Sequence, residues 1–253
     1  MVKGYDYTWI RLSRKMIGNC SDIIQGMKIT VVIPVYNEAK TIQEILRRVQ
    51  NMDLVHEIVV VDDGSTDGTR EILRELDGSG IVRVILHERN LGKGAALVTG
   101  FRHATGDIII IQDADLEYDP REYPNLLAPI REGKADVVYG SRFLGAGRRP
   151  ILYWNMVANK LLTFVTNLLY NNILSDMETG YKVFRRNVVE NMVIHARRFD
   201  FEPEFTAKVL KRKVRVYEVP IDFNPRDYSE GKKIKAWDAV IALWTLIKYR
   251  FMD

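Results

Sequence analysis

The chain has 253 residues, of which 47% are hydrophobic and 28% are charged, so it can form one large domain with an ordinary core, or one domain with an appendage. Its 37 basic and 33 acidic residues nearly balance, which argues against binding to nucleic acid by charge. The single cysteine, Cys20, excludes an intrachain disulfide and cannot form a zinc site by itself.

The first 26 residues differ from the rest of the sequence. They show weak periodicity and end at Gly26, just before a strong strand pattern, so we expect a loosely packed N-terminal extension over 1–26. We find no signal-peptide pattern and no run of about 18 apolar residues, so we expect no membrane-spanning helix and a cytoplasmic location.

From Met27 onward, strand and helix patterns alternate. Short β-branched runs closed by turn residues predict strands, and apolar residues at helical spacing predict the helices between them. The predicted strands are ITVVIPV, EIVVVDDGS, VRVILHE, DIIIIQDAD, ADVVYGS and, later in the chain, VRVYEVPIDF. This alternation predicts an α/β fold with a mostly parallel central sheet flanked by helices, and ligands that bind beyond the carboxyl ends of the strands.

Two longer helical patterns follow. The stretch 151–174 is apolar around most of its surface, and the tail 236–253 predicts an amphipathic C-terminal helix with Trp237 and Trp244 among its apolar residues. We therefore divide the chain into the extension 1–26, a main domain 27–235 and the helix 236–253.

Acidic residues gather where the predicted strands end. Asp62 and Asp63 follow one strand, and Asp113 and Asp115 follow another, with nothing basic beside them in the sequence. Burial of like charges is costly unless a cation joins them, and side chains two apart on an extended chain point the same way. Mg²⁺ and Mn²⁺ prefer such oxygen ligands, so the pattern predicts a divalent metal site, with Glu117 on the same side if the chain stays extended.

A dinucleotide-binding dehydrogenase is the rival interpretation of this strand pattern. It requires G-x-G-x-x-G directly after the first strand, where this chain has PVYNEAKT without a glycine. The segment NLGKGAAL lacks the full phosphate-loop pattern. Gly92 and Gly94 in it fit a tight loop near a ligand and fit an ordinary helix start equally well.

Five motifs in one order, VVIPVYNEAKTI, VVDDGSTDGT, NLGKGAAL, DADLEYDP and GSRF, resemble glycosyltransferase family 2. SDMETGYKVFRR and RDYSEGKK are similar to its dolichol-phosphate mannose synthase-like branch, the polyprenyl-phosphate glycosyltransferases. The resemblance implies a glycosyltransferase-A fold, a catalytic domain over 27–235 and an inverting transfer of mannose or glucose. The donor would be GDP-mannose or UDP-glucose, and the acceptor a polyprenyl phosphate.

The resemblance also implies roles for individual residues. Asp115 and Glu117 would hold Mg²⁺ or Mn²⁺, although relatives carry Gln where this chain has Glu117. Asp115, Arg142 and Arg226 would serve catalysis by stabilising the departing diphosphate. The implied donor-binding residues are Pro34, Tyr36, Glu38, Val61, Asp63, Asp113, Ala114, Asp115, Arg142, Arg226 and Lys232.

The acceptor decides whether a base is required. A lipid phosphate is already anionic and needs little help, whereas a hydroxyl acceptor needs a carboxylate base, for which Asp176 and Glu178 are the candidates. Glu178 could instead orient the sugar or be a structural cap. Transfer to a saccharide or small-molecule hydroxyl therefore stays open, as does a non-catalytic module that only binds nucleotide sugars.

A polyprenyl-phosphate acceptor also requires access to a membrane. Trp and Tyr favour the headgroup zone and basic residues favour anionic lipid, so the tail or the stretch 151–174 could dock on a membrane surface or on a membrane-protein partner. The expected location is then peripheral at the cytoplasmic face of the membrane. Simple packing of the tail helix on the core is the alternative.

Overall fold

Seven strands form a single sheet within residues 26–145, 152–225 and 236–252, the parts of the chain that the computed structural model describes. The strands are β1 (Ile29–Val35), β2 (Glu57–Asp62), β3 (Val82–Leu86), β4 (Ile108–Ile111), β5 (Val137–Ser141), β6 (Lys182–Arg185) and β7 (Val216–Pro220).

The order of the strands is β3-β2-β1-β4-β6-β5-β7. β6 runs antiparallel to both of its neighbours, and the other neighbouring pairs are parallel. The predicted α/β fold with a mostly parallel central sheet is therefore confirmed. β6 was not predicted from the sequence. Because it runs antiparallel to β4, the residues that precede it lie at the edge of the sheet where β1, β2 and β4 end.

Eight helices flank the sheet in the described residues. They are α1 (Ile42–Gln50), α2 (Thr69–Leu76), α3 (Lys93–His103), α4 (Tyr123–Arg131), α5 (Tyr153–Tyr170), α6 (Asn187–Glu190), α7 (Phe201–Lys211) and α8 (Ala236–Phe251), and a 3₁₀ turn at Pro120–Glu122 precedes α4. The predicted tail helix is thus present as α8, whereas the extension 1–26 lies outside the described residues apart from Gly26.

The core has two layers because alternate residues of each strand point to opposite faces. Val31 and Ile33 of β1 pack with the apolar faces of α1 and α4, while Val32 between them packs on the α3 and α7 side. Strands buried on both faces need apolar residues at nearly every position, which explains the unbroken isoleucines of β4.

α5, α7 and α8 form a helical layer over the second face. α8 packs against both other helices, and its Ala242 and Leu246 are buried in the core. Tyr170 at the end of α5 donates its hydroxyl to the carbonyl of Leu246 at 2.8 Å. None of the helices in the described part of the chain is long and apolar enough to cross a bilayer.

Candidate active site

A cavity of about 720 Å³ opens at the carboxyl ends of β1, β2 and β4. The strand ends form its floor, and α5 and α8 cover it with the side chains of Trp154, Ala158, Asp238 and Ala242. This is the place where open parallel sheets bind their ligands, since the loops after neighbouring strands diverge there.

Most of the predicted site residues line this one cavity. They are Pro34, Tyr36, Glu38, Asp63, Asp113, Ala114, Asp115, Glu117, Arg142 and Glu178. Val61 differs: it is fully buried among the hydrophobic residues on the α3 side of the sheet, and the cavity wall does not include it. Arg226 and Lys232 lie outside the described residues.

Asp113 has a cationic partner that was not anticipated. Lys93, the first residue of α3, places its Nζ 2.9 Å from Oδ1 of Asp113 and 3.1 Å from Oε1 of Glu202. Burial would lower the pKa of Lys93, but the charges of these two carboxylates outweigh burial and raise the pKa above its ordinary value. The expectation that both aspartates wait for a metal ion is therefore wrong for Asp113, which a lysine already neutralises.

The acidic loop is a fixed turn. Leu116 has a φ of 62°, and the backbone N–H of Glu117 donates to Oδ1 of Asp115 at 3.1 Å. Gln112 holds both ends of the turn, because its Nε2 donates to the carbonyls of Asp113 and Tyr118. The chain thus turns between Asp115 and Glu117, so the condition of an extended course is not met, and both side chains nevertheless line the cavity.

The chemistry of Asp115 and Glu117 fits a divalent metal. Both supply carboxylate oxygens to the same cavity, and the described residues include no group of three or more acidic, histidine or cysteine side chains that could enclose an ion. A cation at this place would complete its coordination with water and with phosphate oxygens of a ligand. Mg²⁺ usually binds in this mode, through one or two carboxylates and a substrate phosphate.

The two aspartates after β2 have different surroundings. Asp62 is buried and bound by Arg70 at 2.7 Å, and it does not line the cavity, so it does not join the predicted acidic group. Asp63 lines the cavity, but its carboxylate also accepts the backbone N–H groups of Leu91 and Gly92 at 2.9 and 2.7 Å. Asp63 therefore fixes the loop from which α3 begins.

Gly92 and Gly94 belong to this loop for a steric reason. Gly92 has a φ of 100°, and a Cβ on it would collide with the backbone of Arg197. A Cβ on Gly94 would lie 2.6 Å from the carbonyl oxygen of Ala196. The loop is therefore more than an ordinary helix start: the glycines let a second segment cross it beside the cavity, which Gly92 lines.

Arg142 is fixed in the cavity wall by Asp176. Its Nε and Nη2 donate to the two carboxylate oxygens of Asp176 at 2.7 and 2.8 Å, and Nδ2 of Asn159 also donates to Asp176 at 3.0 Å. Asp176 is fully buried and does not line the cavity, so we assign it to positioning Arg142 and no longer consider it a base. Glu178 remains as the candidate.

Glu178 lines the cavity with a buried Oε1 that has no hydrogen-bond partner in the described part of the chain. Burial, and next the charge of Glu202, raise the pKa of Glu178 to about 8. Lys182 is fully buried beneath it, and burial lowers the pKa of that amine. Lys182 and Glu202 were missed because sequence spacing does not show which distant residues meet.

The fold is that of an α/β protein with an open sheet, and the cavity at the edge of the sheet combines two carboxylates that suit a divalent metal with a fixed arginine, a set of groups that suits phosphate-bearing, nucleotide-like ligands. The chain belongs to glycosyl transferase family 2, whose model matches residues 30–193. It is 33% identical over 211 residues to a dolichol-phosphate mannosyltransferase of Pyrococcus furiosus, a match that covers 81% of this chain and 59% of that protein. The resemblance to the dolichol-phosphate mannose synthase-like branch is thereby confirmed.

Solved structures confirm the glycosyltransferase-A fold. Glucosyl-3-phosphoglycerate synthase from Mycobacterium tuberculosis, in complex with Mn²⁺, uridine diphosphate and phosphoglyceric acid, matches with a TM-score of 0.73 at 20% identity, over 100% of this chain and 85% of that one. Its complex with glucosyl-3-phosphoglycerate, uridine diphosphate and Mn²⁺ matches equally at 21% identity, over 100% of this chain and 87% of that one.

Proposed function

We propose that this glycosyltransferase transfers mannose or glucose, with inversion, from GDP-mannose or UDP-glucose to a polyprenyl phosphate. Family membership and the similarity to a dolichol-phosphate mannosyltransferase support the reaction class. The observation that carries the proposal is the cavity, which brings Asp115, Glu117 and the fixed Arg142 together beneath two helices with exposed apolar faces.

The donor would lie across the strand ends. In this proposal Pro34, Tyr36 and Glu38 bind the nucleoside, and the diphosphate lies over the turn at Asp115 and Glu117. Mg²⁺ or Mn²⁺ held by these two carboxylates would neutralise charge on the diphosphate. The similar synthase structures contain Mn²⁺ with uridine diphosphate, which agrees with a metal of this class.

The transfer requires no base when the acceptor is a phosphate dianion. An acceptor oxygen forms a bond to the anomeric carbon, and the bond from that carbon to the β-phosphate oxygen breaks on the opposite face. The nucleoside diphosphate leaves with the bonding electrons, and the acceptor monoester becomes a phosphodiester. Fixed positive charge is effective here because it stabilises developing negative charge without reorganisation, and the Asp176 pair holds Arg142 in place for this purpose.

The outer faces of α5 and α8 support docking on a membrane surface. On α5 the exposed side chains Trp154, Leu161 and Leu168 follow each other at seven-residue intervals, as do Trp237, Trp244 and Phe251 on α8. Seven residues make nearly two turns, so each set forms one stripe along its helix. Exposed Lys160 and Arg250 accompany the stripes and suit an anionic lipid surface.

The same two helices also cover the cavity: Ala158 and Ala242 line it, and so does Trp154 at the start of the α5 stripe. A lipid acceptor held in the bilayer could therefore bring its phosphate to the site along either helix. We propose a peripheral location at the cytoplasmic face of a membrane, with the bilayer itself as the partner of the two stripes. Binding to protein-free lipid vesicles would show that the stripes need neither a membrane protein nor a second copy of this chain as their partner.

A hydroxyl acceptor is the second candidate, and Glu178 favours it. A carboxyl whose pKa is raised to about 8 by burial is a stronger base than an ordinary carboxylate once it is ionised, so it can take a proton from an attacking hydroxyl at mildly alkaline pH. In that reaction the proton moves from the acceptor hydroxyl to Glu178 as the new glycosidic bond forms. A module that only binds nucleotide sugars would show neither reaction.

One assay separates these functions. Donors with a radiolabelled sugar, GDP-mannose and UDP-glucose, are incubated with Mn²⁺, with and without polyprenyl phosphate in detergent. Label that becomes extractable into organic solvent only with the lipid supports the proposal. Label that appears only in water-soluble products supports a hydroxyl acceptor. If the chain binds the donor but shows no turnover, a module that only binds nucleotide sugars is the remaining function. A thermal-shift series with the same nucleotides identifies the donor, since ligand binding to the native state raises its stability.

A further inference from the structure

The strand order assigns a position to each part of a bound donor. Along the edge of the sheet the ends of β2, β1 and β4 are followed by the segment that precedes β6. That segment, Glu178 to Gly180, touches the acidic turn directly, because a Cβ on Gly180 would collide with Oδ2 of Asp113. If the nucleoside lies at β1 and β2 and the diphosphate at β4, the next group along the edge meets Glu178.

This end of the cavity is built from buried charges. Lys93 joins Asp113 to Glu202, and Glu178 lies near enough for the charge of Glu202 to raise its pKa. Below them, Nζ of Lys182 donates to the carbonyl oxygens of Met177, at 3.2 Å, and Thr179, the two neighbours of Glu178 in the chain. These two hydrogen bonds hold the backbone on both sides of Glu178 and thereby fix its position.

Two buried polar atoms of the cavity wall lack hydrogen-bond partners among the described residues. They are Oε1 of Glu178 and Nδ2 of Asn155, an acceptor and a donor. A buried polar atom without a partner is costly, so such atoms in a cavity wall indicate the polar groups of a ligand. A hydroxyl group both donates and accepts, and it could satisfy either atom.

We propose that Glu178 and Glu202 form the hexose-binding end of the cavity and accept hydrogen bonds from the sugar hydroxyls of the donor. Lys93 and Lys182 are positioning residues for these carboxylates. Lys93 is bound by Asp113 and Glu202, and Lys182 is bound by backbone carbonyls, so neither amine is directed at a second phosphate, whereas a neutral polyhydroxylated group can form hydrogen bonds to the two carboxyl groups. This inference rests on the proposed function, because it assumes a nucleotide-sugar donor.

Calorimetric titration in the presence of Mn²⁺ tests the inference by comparing each nucleotide sugar with its own nucleoside diphosphate: GDP-mannose with GDP, and UDP-glucose with UDP. For the pair that the wild type binds, Glu178→Ala and Glu202→Gln should weaken binding of the nucleotide sugar about tenfold or more. Binding of the nucleoside diphosphate should stay within about twofold, which also shows that the variants are folded. Glu88→Ala, at an exposed position outside the cavity, is the matched control.

Glu178→Met takes the place of Glu178→Ala if the alanine variant does not fold, because Met is similar in length and has only a weak hydrogen-bond acceptor. Equal weakening of both ligands, or unchanged binding of the nucleotide sugar, would overturn the inference and leave the proposed function standing. A wild-type chain that binds neither nucleotide sugars nor nucleoside diphosphates would overturn both.

Discussion

Asp176 binds Arg142 through both carboxylate oxygens, and it also accepts the backbone N–H of Arg142 at 3.0 Å. The carboxylate is fully buried, while the arginine side chain remains 16% exposed at the cavity wall. Burial alone would raise the pKa of Asp176, but Arg142 reverses this effect and holds the pKa below its ordinary value. The pair therefore stays charged while it holds the guanidinium toward the cavity.

Asp176→Asn should lower the free energy of unfolding by about 3–5 kcal/mol, because it leaves Arg142 as an uncompensated buried charge. The matched control is Asp136→Asn: Asp136 binds Arg215 with the same two-fold geometry, at 2.8 and 3.0 Å, but that arginine is 56% exposed. An exposed pair contributes about 0–1 kcal/mol. Urea denaturation of both variants measures the difference, and similar losses would contradict burial as the cause.

Gly92→Ala should destabilise the chain by about 1–3 kcal/mol or more, because an added Cβ meets the backbone of Arg197 in a conformation that favours glycine. Gly68→Ala is the control. Gly68 also precedes a helix with a φ of 97°, but a Cβ there meets nothing within 4 Å. Thermal denaturation should show the larger loss for Gly92→Ala. Equal losses of stability in the two variants would mean that the close approach of residues 196–197 does not add to the cost of the Gly92 substitution.

Asp115→Asn should reduce metal-dependent sugar transfer roughly 100-fold or more, since it removes a proposed metal ligand from the cavity. EDTA should abolish transfer by the wild type, and added Mn²⁺ should restore it. Asp119→Asn in the same loop is the control, because Asp119 binds the exposed Arg121 and does not line the cavity. Unchanged turnover of Asp115→Asn would remove the metal assignment.

Trp154→Ser and Trp244→Ser should each weaken binding to vesicles of anionic phospholipid on the order of tenfold, because burial of a large apolar side chain contributes about 1.5–3 kcal/mol. The two side chains are 76% and 65% exposed, so the fold should tolerate both changes. Val193→Ser, 66% exposed outside the two stripes, is the control. Co-sedimentation measures binding; wild-type affinity in both tryptophan variants would contradict docking through α5 and α8.

The fold was largely predictable because buried strands and amphipathic helices leave periodic patterns in the sequence. β6 was not, since its four residues are too few to show a period and its antiparallel direction depends on neighbours distant in the chain. The tail helix was predicted from its pattern, but the pattern does not show which face packs on α5 and α7. The structure assigns Ala242 and Leu246 to the buried face.

The sequence predicted those site residues whose position follows from a strand end or a local motif. It did not predict the contacts between residues that are distant in the chain. Asp113 and Asp115 lie where the motif indicated, but the sequence did not show that Lys93 binds and neutralises Asp113. Asp62 and Asp63 are neighbours in the sequence, but one binds Arg70 and the other holds the loop before α3. Sequence spacing gives the edge of the sheet that a residue reaches, and it does not give the partner found there.

The raised pKa of Glu178 has a consequence for stability. In the unfolded chain this carboxyl ionises near its ordinary value of about 4.5, whereas burial and Glu202 raise the pKa to about 8 in the folded chain. Between these values the folded state keeps a proton that the unfolded state has released. The free energy of unfolding should therefore fall as the pH rises from about 4.5 to 8, and this contribution should level off above 8.

Glu178→Gln has no such proton and should lack this slope. The variant and the wild type should be similarly stable at about pH 5, and by pH 8 the variant should be more stable by an amount on the order of a few kcal/mol. Urea denaturation across this range measures the difference, with Glu88→Gln at an exposed position as the control. A difference that does not change with pH would show that Glu178 is already ionised in the folded chain, so that nearby cations such as Lys182 and Arg142 outweigh the effect of burial on its pKa.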